Sequence, residues 1–328
     1  MSDPAQAAGG TWRPTASLSA LRRRAAMLSA AREFFAQRGV MEVETPILSA
    51  AAVSDPQIES LATQVAGMAT SFYMCTSPEY AMKRLLAAGS GDIYQICKVF
   101  RDGERGRWHN PEFTLLEWYR LGFDDTALMS EVETLVGRLL QPHRRLEPAE
   151  RLSYAAAIEH HAGVDMHAAD DRDLMEAARR HGVDCRADLD RDAKLDLLMG
   201  LIVGPRLGRE RPCFICDYPA SQAALARLKP GLPPVAARFE FYLDGIELAN
   251  GFHELVNGGE QRARFEQDLN LRRARGQVVR PLDENLLAAL SAGMPDCAGV
   301  ALGFDRLAAI ALDAPRLADA MAFTIDNA

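Results

Sequence analysis

The sequence predicts an α+β fold in which a mostly antiparallel sheet is flanked by helices. Two of its strand-like segments are joined by a polar stretch, residues 102–111, and this order is typical of a long-looped hairpin. Helical periodicity is clearest in Ser19–Arg38, which places apolar residues between arginines and ends before Gly39. The segments with strand composition are residues 92–101, 112–122, 238–243 and 247–255.

The length of the chain favours one large domain with an insertion. The 328 residues exceed the usual size of a single domain, and residues 17–328 are expected to form one catalytic body. Residues 1–16, rich in alanine, glycine and proline, are expected to form a flexible tail. Residues 124–235 consist mainly of helical patterns without a cluster of convergent polar groups, so we interpret them as a mostly helical inserted region.

Composition and charge exclude several classes of protein. Hydrophobic residues make up 48% and charged residues 25% of the chain, as in ordinary globular proteins. The net charge of −8 argues against a protein whose main task is to bind nucleic acid through phosphates. No apolar run approaches the roughly 20 residues of a membrane span, and residues 1–16 lack the basic-then-apolar order of a signal peptide, so we expect a cytoplasmic location. The six cysteines are expected to be reduced, including the Cys213-x-x-Cys216 pair, which lacks a second pair for zinc.

The hairpin brings cationic and aromatic side chains together around one loop. Residues of this kind suit a polyphosphate, and the loop contains them at positions Arg101, Arg107, His109, Asn110 and Phe113. On the returning strand, the two-residue period places Phe113, Leu115, Glu117 and Tyr119 on one face. A buried core face rarely combines an aromatic ring with a carboxylate and a phenol. The alternative is a solvated sheet edge, because charged hairpins are common on protein surfaces.

A second candidate site is the segment that begins at Glu247 and ends at Glu254. Its two carboxylates could share a divalent cation that bridges phosphate oxygens. Seven residues apart in an unbroken strand, they would point to opposite faces, so a turn or bulge is needed. The Asn250-Gly251 pair is the predicted position of that irregularity. The alternative is a surface strand with two solvated glutamates.

The third candidate is the glycine-rich turn before the last predicted helix, Gly299-x-Ala301-x-Gly303-x-Asp305-Arg306. Glycine permits close backbone approach, and an arginine in the first helical turn offers an anion site. A dinucleotide-binding fingerprint needs about 30 residues in its structural unit, and fewer follow Gly303. A purely structural glycine turn is the alternative.

Taken together, in this order and spacing, the three candidates resemble the three motifs of class II aminoacyl-tRNA synthetases. Gly39-Val-Met-Glu-Val-Glu-Thr-Pro46 is similar to motif 1, residues 100–113 to motif 2, and Gly303-Phe-Asp-Arg306 to motif 3. Within the class, Thr76-Ser-Pro-Glu79, residues 109–119 and residues 247–254 are similar to the lysyl branch. The resemblance covers residues 18–313 and is weakest in residues 124–235.

The resemblance implies a role for each of these residues. Arg101 and Arg306 are the implied catalytic residues, and Mg²⁺ is implied to lie between Glu247 and Glu254. The opening of motif 2, Arg101-Asp-Gly-Glu104, is one residue longer than in the family, so backbone groups of Asp102 and Gly103 are alternative adenine contacts to Glu104. The implied ATP site consists of Arg101, Asp102, Gly103, Glu104, His109, Asn110, Phe113, Glu247, Leu248, Gly303 and Arg306. The implied site for a lysine-like substrate consists of Ser77, Pro78, Glu79, Glu117, Tyr119, Glu254 and Ala301.

The same resemblance narrows the expected function. Lysyl-tRNA synthetases carry an anticodon-binding domain before motif 1, whereas motif 1 here begins at Gly39. The sequence is therefore most similar to the lysyl-synthetase paralogues that use ATP to attach (R)-β-lysine to elongation factor P. Ala301, where lysyl-tRNA synthetases have glycine, favours a β-amino acid by only ~1–3 kcal/mol. A homodimer through motif 1, no membrane and no tRNA are implied. A truncated lysyl-tRNA ligase that uses L-lysine and a non-catalytic regulator are the alternatives.

Overall fold

The structure, a computed structural model, describes residues 12–328. Residues 1–11 of the predicted tail lie outside the described residues. The rest of that tail is attached to the far end of the chain, because Thr15 and Ala16 donate backbone hydrogen bonds of 2.8 and 3.1 Å to the carbonyls of Ala322 and Met321. Within residues 12–328, none of the helices is long and apolar enough to cross a membrane.

Two sheets make up the β structure. The large sheet has the spatial order β1-β5-β6-β12-β11-β10-β8-β7, with β9 attached to β10, and the small sheet has the order β2-β4-β3. In chain order the strands are β1 (Met41–Glu42), β2 (Leu48–Ser49), β3 (Ala62–Gln64), β4 (Ser71–Met74), β5 (Ile93–Phe100), β6 (Glu112–Leu121), β7 (Glu150–Ser153), β8 (Cys213–Pro219), β9 (Leu228–Lys229), β10 (Val235–Leu243), β11 (Ile246–His253) and β12 (Cys297–Gly303).

The large sheet is mostly antiparallel, as predicted. Only the pairs β1–β5 and β7–β8, at its two ends, are parallel. The expected hairpin is formed by β5 and β6, which pair over eight residues from Ile93↔Tyr119 to Phe100↔Glu112. The central strands β6, β12, β11 and β10 continue the antiparallel pattern.

Helices cover both faces of the large sheet. Their bounds are α1 (Leu18–Ala36), α2 (Glu79–Ala87), α3 (Asp125–Leu140), α4 (Tyr154–Ala162), α5 (Asp171–Arg180), α6 (Arg191–Leu198), α7 (Gly258–Ala274), α8 (Glu284–Gly293) and α9 (Phe304–Ala311). On one face, α1, α3 and α9 enclose the main hydrophobic core, in which Phe35 stacks on Tyr94 with ring centroids 4.4 Å apart. On the other face, α2, α7 and α8 pack together around Met82, Phe265 and Leu287.

The region predicted as an insertion, residues 124–235, contributes both helices and strands to the fold. It contains α4, α5 and α6, which form a second hydrophobic cluster with Tyr154 and Leu198. It also supplies β7, β8 and β9, and β8 joins the large sheet through β10. Its first helix, α3, packs into the main core. The region is therefore continuous with the large sheet, and its role as a distinct unit stays a prediction.

Candidate active site

A cavity of about 1300 Å³ lies over the centre of the large sheet, on the side of α2 and α7. The alternation of β6 divides its side chains as the sequence predicts. Glu117 and Tyr119 line the cavity, whereas Leu116 and Trp118 lie in the main core on the opposite side. The central sheet thus presents one apolar face to the core and one polar face to the cavity.

Arg101 follows directly after β5, at one end of the cavity. Its backbone N–H donates to the Pro111 carbonyl at 2.9 Å, which fixes the first residue of the hairpin loop against the last. The guanidinium lies 5.1 Å from the centre of the Phe113 ring and 3.5 Å from Glu104. About a quarter of the side chain is exposed, at 26%, so a ligand in the cavity can reach the charge. Arg101 and Phe113 therefore present a cation beside an aromatic plate.

Arg306 lies in the first turn of α9, immediately after β12. Its guanidinium donates to the carbonyls of Glu247 at 2.9 Å and Trp108 at 3.3 Å, and it lies 2.8 Å from Nε2 of His109. Desolvation and then the Arg306 charge lower the pKa of His109 below its ordinary value. The imidazole is therefore neutral near pH 7 and accepts the hydrogen bond from Arg306. Arg306 is held by motif 2 and by β11 at once.

The charges of the two arginines act on the same two side chains, His109 and Glu247. The positive charges of Arg306 and Arg101 both lower the pKa of His109, and both oppose the rise in the pKa of Glu247. That rise comes first from the loss of solvation inside the cavity and second from the neighbouring carboxylate Glu240. A triphosphate placed beside His109 and Glu247 would lie near two guanidinium groups, as the resemblance implies.

The remaining residues of the hairpin loop differ in their exposure to solvent. Asp102 and Gly103 are exposed, and the backbone N–H of Asp102 donates to the Glu59 carbonyl at 2.9 Å. Asn110 is buried, and its amide is used within the protein. The amide nitrogen donates to the Glu112 carbonyl at 2.6 Å, and the amide oxygen accepts from the backbone of Ile325 at 3.0 Å. Asn110 therefore shapes the loop, and a direct nucleotide contact through its side chain would require these bonds to open.

Glu247 and Glu254 face the same cavity because β11 contains an extra residue. The pairing with β10 shifts between Phe241, which faces Ala249, and Tyr242, which faces Glu247, so Leu248 has no partner of its own. The sequence predicted this irregularity at Asn250-Gly251, and the structure has it at Leu248. The side chain of Leu248 is buried in the main core, which leaves only its backbone for a ligand.

The far end of the cavity is a carboxylate pocket built around Glu117. One carboxylate oxygen of Glu117 accepts a hydrogen bond of 2.7 Å from the Ser77 hydroxyl, and the other accepts one of 2.7 Å from the Tyr119 hydroxyl. Burial, followed by the charge of Glu79, raises the pKa of Glu117 to about 7. Ser77 also accepts from the backbone N–H of Glu79 at 2.9 Å, and Pro78 is the first residue before α2. Ser77 therefore joins the start of α2 to β6.

A lysine that sequence reasoning missed lies between the other two carboxylates. Nζ of Lys83 is 2.7 Å from Oε1 of Glu79 and 2.6 Å from Oε2 of Glu254. Burial alone would lower the pKa of Lys83, but the charges of Glu254 and Glu79 outweigh it and raise this pKa. Burial raises the pKa of Glu254 to about 8, against the opposing effect of Lys83. The spacing of Glu79 and Lys83, four residues apart on a predicted helix, was the only available signal.

Two small residues of β12 form the floor of this pocket. A Cβ atom on Gly299 would lie 2.2 Å from the ring of Tyr119 and 2.6 Å from Oε1 of Glu254, so only glycine fits there. Ala301 pairs with Glu117 on one side and Asn250 on the other, and it lines the cavity. A Cβ on Gly303 would meet no atom closer than 3.7 Å, so Gly303 is not required by crowding.

A buried ion pair fixes the helix that carries Arg306. Asp305 lies 2.6 Å from Arg24 of α1, and its second oxygen accepts from the backbone N–H of Thr114 at 2.7 Å. Arg24 also donates to the hydroxyl of Thr114 at 3.0 Å. These contacts connect α1, β6 and α9 behind the cavity, so the position of α9 is set by two other elements.

The predicted magnesium site does not fit as a shared ion between Glu247 and Glu254. Glu254 is 1% exposed and bonded to Lys83, whereas Glu247 is 40% exposed and lies 3.7 Å from Arg306. Within residues 12–328, no group of three or more His, Cys, Asp or Glu side chains could hold a metal ion. Glu247 alone is placed to contact an ion that arrives with phosphates, because its carboxylate is accessible and faces the arginines.

Comparisons with known proteins agree with this geometry. The family model of tRNA synthetases class II (D, K and N) matches residues 11–327. A protein of Salmonella arizonae named elongation factor P–(R)-β-lysine ligase is 51% identical over 326 residues, which cover 97% of this chain and 98% of the relative. Proteins of the same name from Salmonella dublin and Salmonella paratyphi B have the same identity and coverage. The resemblance in the three motifs is thereby confirmed, and the chain belongs to the class II tRNA synthetase family (D, K and N).

Proposed function

We propose that this protein is a ligase that activates (R)-β-lysine with ATP and transfers it to a lysine side chain of elongation factor P. One observation carries the proposal: a single cavity joins Arg101 and Glu247, the residue that Arg306 contacts through both its carbonyl and its carboxylate, to a pocket of buried carboxylates. The first end suits a triphosphate, and the second suits an amino acid with more than one ammonium group. The names of the relatives that share 51% of its residues agree with this assignment.

In the first step, the carboxylate of the amino acid attacks the α-phosphorus of ATP, and pyrophosphate leaves. The nucleophile is already ionised, so the reaction needs positioning and charge stabilisation rather than a general base. Arg101 would neutralise the α-phosphate while Phe113 stacks on adenine, and Arg306 would hold the γ-phosphate. Neutral His109 supports Arg306 without adding a competing positive charge.

In the second step, the acceptor amine attacks the carbonyl carbon of the mixed anhydride, and AMP leaves. A new amide bond forms, and the attacking nitrogen loses a proton. An amine acceptor must be uncharged to attack, so its ammonium form first gives one proton to solvent, and the nitrogen gives a second proton to solvent as the amide forms. Glu240, which lines the cavity, is not proposed as the base, because its two oxygens already accept hydrogen bonds from Arg238 at 2.6 Å and Tyr242 at 2.7 Å. A protein lysine is a suitable acceptor because its side chain is long enough to enter a cavity.

The carboxylate pocket supports a substrate with two ammonium groups. Glu79, Glu117 and Glu254 carry three carboxylates, and Lys83 supplies one compensating charge. Ala301 fills part of the floor where a glycine would leave space, and one methyl group discriminates by ~1–3 kcal/mol. An acidic amino acid would bring like charge into this pocket and would be rejected. We therefore place the two amino groups of β-lysine here.

Mg²⁺ would enter with the nucleotide, where it neutralises phosphate charge, and Glu247 is its proposed protein ligand. A homodimer through motif 1 is proposed because apolar side chains are exposed within it and directly after it, with Met41 at 48% and the following Ile47 and Leu48 at 40%. A cytoplasmic location is proposed because ATP and translation factors occur there, and tRNA is not proposed as an acceptor.

The direct test measures transfer with purified components. The protein is incubated with ATP, (R)-β-lysine and elongation factor P, and intact-mass spectrometry follows the factor. We expect the factor to gain the mass of one lysyl group. Parallel reactions replace β-lysine with L-lysine and the factor with tRNA. Charging of tRNA without modification of the factor would support the truncated lysyl-tRNA ligase instead, and absence of pyrophosphate exchange with every amino acid tested would support a non-catalytic regulator.

A further inference from the structure

We infer that Lys83 is a positioning residue for the amino-acid substrate, which fixes one oxygen of Glu79 and one of Glu254 so that their other oxygens face the substrate ammonium groups. The inference rests on the proposed function and extends it to a residue outside the three motifs. Lys83 lies in α2, one helical turn after Glu79. It would act through the two carboxylates and is not proposed to contact the reacting atoms.

Lys83 lies within ion-pair distance of two carboxylates from different elements of the fold. Nζ of Lys83 reaches Oε1 of Glu79 at 2.7 Å and Oε2 of Glu254 at 2.6 Å, and the lysine is 1% exposed. A buried ammonium without partners is strongly unfavourable, so Lys83 must keep both carboxylates close. Glu79 comes from α2 and Glu254 follows β11, so this one ammonium joins the helix to the sheet across the pocket.

The remaining oxygens of Glu79 and Glu254 also support this role. Among residues 12–328, Oε2 of Glu79 and Oε1 of Glu254 accept no hydrogen bond from another side chain or from the backbone. Oε1 of Glu254 faces the space above Gly299, which is the floor of the pocket. These two acceptors are oriented by Lys83, and each can receive an N–H of an ammonium group.

Lys83 also sets the net charge of the carboxylate pocket. Glu79, Glu117 and Glu254 would give three formal negative charges, and Lys83 reduces them to two. A diamino acid brings two ammonium groups into this pocket, so the bound pocket is neutral. Without Lys83, the same ligand would leave one buried carboxylate uncompensated, and that group would be protonated instead.

A purely structural role for Lys83 is the competing explanation, and a second buried lysine provides the control. Lys194 is also 1% exposed, and its Nζ lies 2.9 Å from Asp171, but Asp171 does not line the cavity, whereas the Lys83 partners Glu79 and Glu254 do. Lys194→Met should therefore lower stability through the same loss of a buried ion pair while leaving the substrate site intact. Lys83→Met is the test variant, because methionine fills a similar volume without charge.

The experiment measures ATP–pyrophosphate exchange for the full chain, with the KM for (R)-β-lysine and the KM for ATP determined from about pH 6 to about pH 9. Thermal unfolding of each variant is recorded alongside. The groups that face the Glu254 carboxylate are Lys83 and Glu79 of α2, Glu117 and Tyr119 of β6, and Cys297 of β12, while Arg227 donates to the Glu254 backbone carbonyl at 3.1 Å. Lys83 is the cation bonded to the carboxylate, and its charge lowers the pKa of Glu254. Its removal should raise that pKa further.

In Lys83→Met we expect the KM for β-lysine to rise by about tenfold or more, with the KM for ATP unchanged. The acid limb of the KM profile should move to higher pH, because a protonated carboxyl no longer binds an ammonium. Lys194→Met should keep the wild-type KM for β-lysine, and the acid limb of its KM profile should stay at the wild-type pH. Lys83→Arg keeps the charge, so its limb should stay at the wild-type pH even if its larger side chain raises the KM.

A folded Lys83→Met with wild-type KM and pH profile would overturn the inference, as would equal changes in Lys83→Met and Lys194→Met. If Lys83→Met does not fold, Lys83→Arg decides: a displaced acid limb overturns the inference, and a retained limb with raised KM supports it. Failure of the proposed function looks different, because the wild-type protein itself would then show no exchange with β-lysine.

Discussion

Replacing Gly299 by alanine tests the substrate pocket with a single methyl group. The added Cβ would lie 2.2 and 2.4 Å from two ring carbons of Tyr119 and 2.6 Å from Oε1 of Glu254. Tyr119 is buried and bonded to Glu117 at 2.7 Å, and Glu254 is ion-paired with Lys83 at 2.6 Å. Neither side chain can move without losing these contacts, so the substitution must disturb the carboxylate pocket.

The expected size of the effect follows from the cost of overpacking. An extra methyl group in a tightly packed site costs about 1–3 kcal/mol. This cost makes the pocket geometry that binds the amino acid less favourable by the same energy. The value of kcat/KM for the amino acid should therefore decrease by about 5- to 150-fold. The ATP end of the cavity is formed by the hairpin loop and α9, so the KM for ATP should change little.

Pyrophosphate exchange with saturating ATP and varied β-lysine measures this loss directly. Gly137→Ala in α3 is the matched control, because its new methyl group would meet no atom within 4 Å. We expect the control to retain wild-type kinetics. If Gly299→Ala also bound and activated β-lysine as well as wild type, the assignment of this pocket to the amino acid would be refuted.

Three further predictions concern pH, catalysis and stability. The pKa values of Glu117 and Glu254 are raised to about 7 and about 8, so binding of an ammonium substrate should release protons from these carboxyl groups. The Kd of the substrate should therefore fall as pH rises through this range. Calorimetry in buffers of different ionisation enthalpy measures the number of protons released, and proton uptake on binding would contradict the prediction. Arg306→Ala should abolish pyrophosphate exchange with an unchanged circular dichroism spectrum, and retained exchange would count against the motif 3 assignment. Asp305→Asn removes the charged partner of Arg24, whose side chain is 14% exposed and keeps its hydrogen bond to Thr114, so denaturant unfolding should show a loss of about 3 kcal/mol. Wild-type stability would show that this ion pair does not hold α9.

The chemistry of the site was largely predictable where local pattern decides it. The two-residue period of β6 was sufficient to place Glu117 and Tyr119 on the cavity side and Trp118 in the core. The positions of Arg101 and Arg306 followed from a hairpin and a strand-to-helix turn, both of which have clear sequence signals. Their proximity was an expectation from the resemblance, since nothing local relates residues so far apart in the chain.

Other features depend on three-dimensional context and were missed or misplaced. Lys83 has the sequence appearance of an ordinary helical partner of Glu79, and its second partner, Glu254, lies far along the chain. The irregularity in β11 was assigned to Asn250-Gly251 because asparagine and glycine favour such positions, yet packing of Leu248 into the core determined it. Asn110 was expected near the nucleotide, but its amide bonds bind the loop to Ile325, a contact without any sequence signal.

The extra residue at Leu248 has a consequence for how sequences of this kind are aligned and engineered. Side chains alternate between the two faces of a β-strand, so two carboxylates an odd number of positions apart share one face only if an extra residue interrupts the alternation once. A change that straightened the strand without altering its length would therefore turn Glu247 toward the apolar interior while every letter of the motif remained present. Deleting Leu248 would instead leave the two glutamates six positions apart, and a regular strand would then keep both on the cavity side.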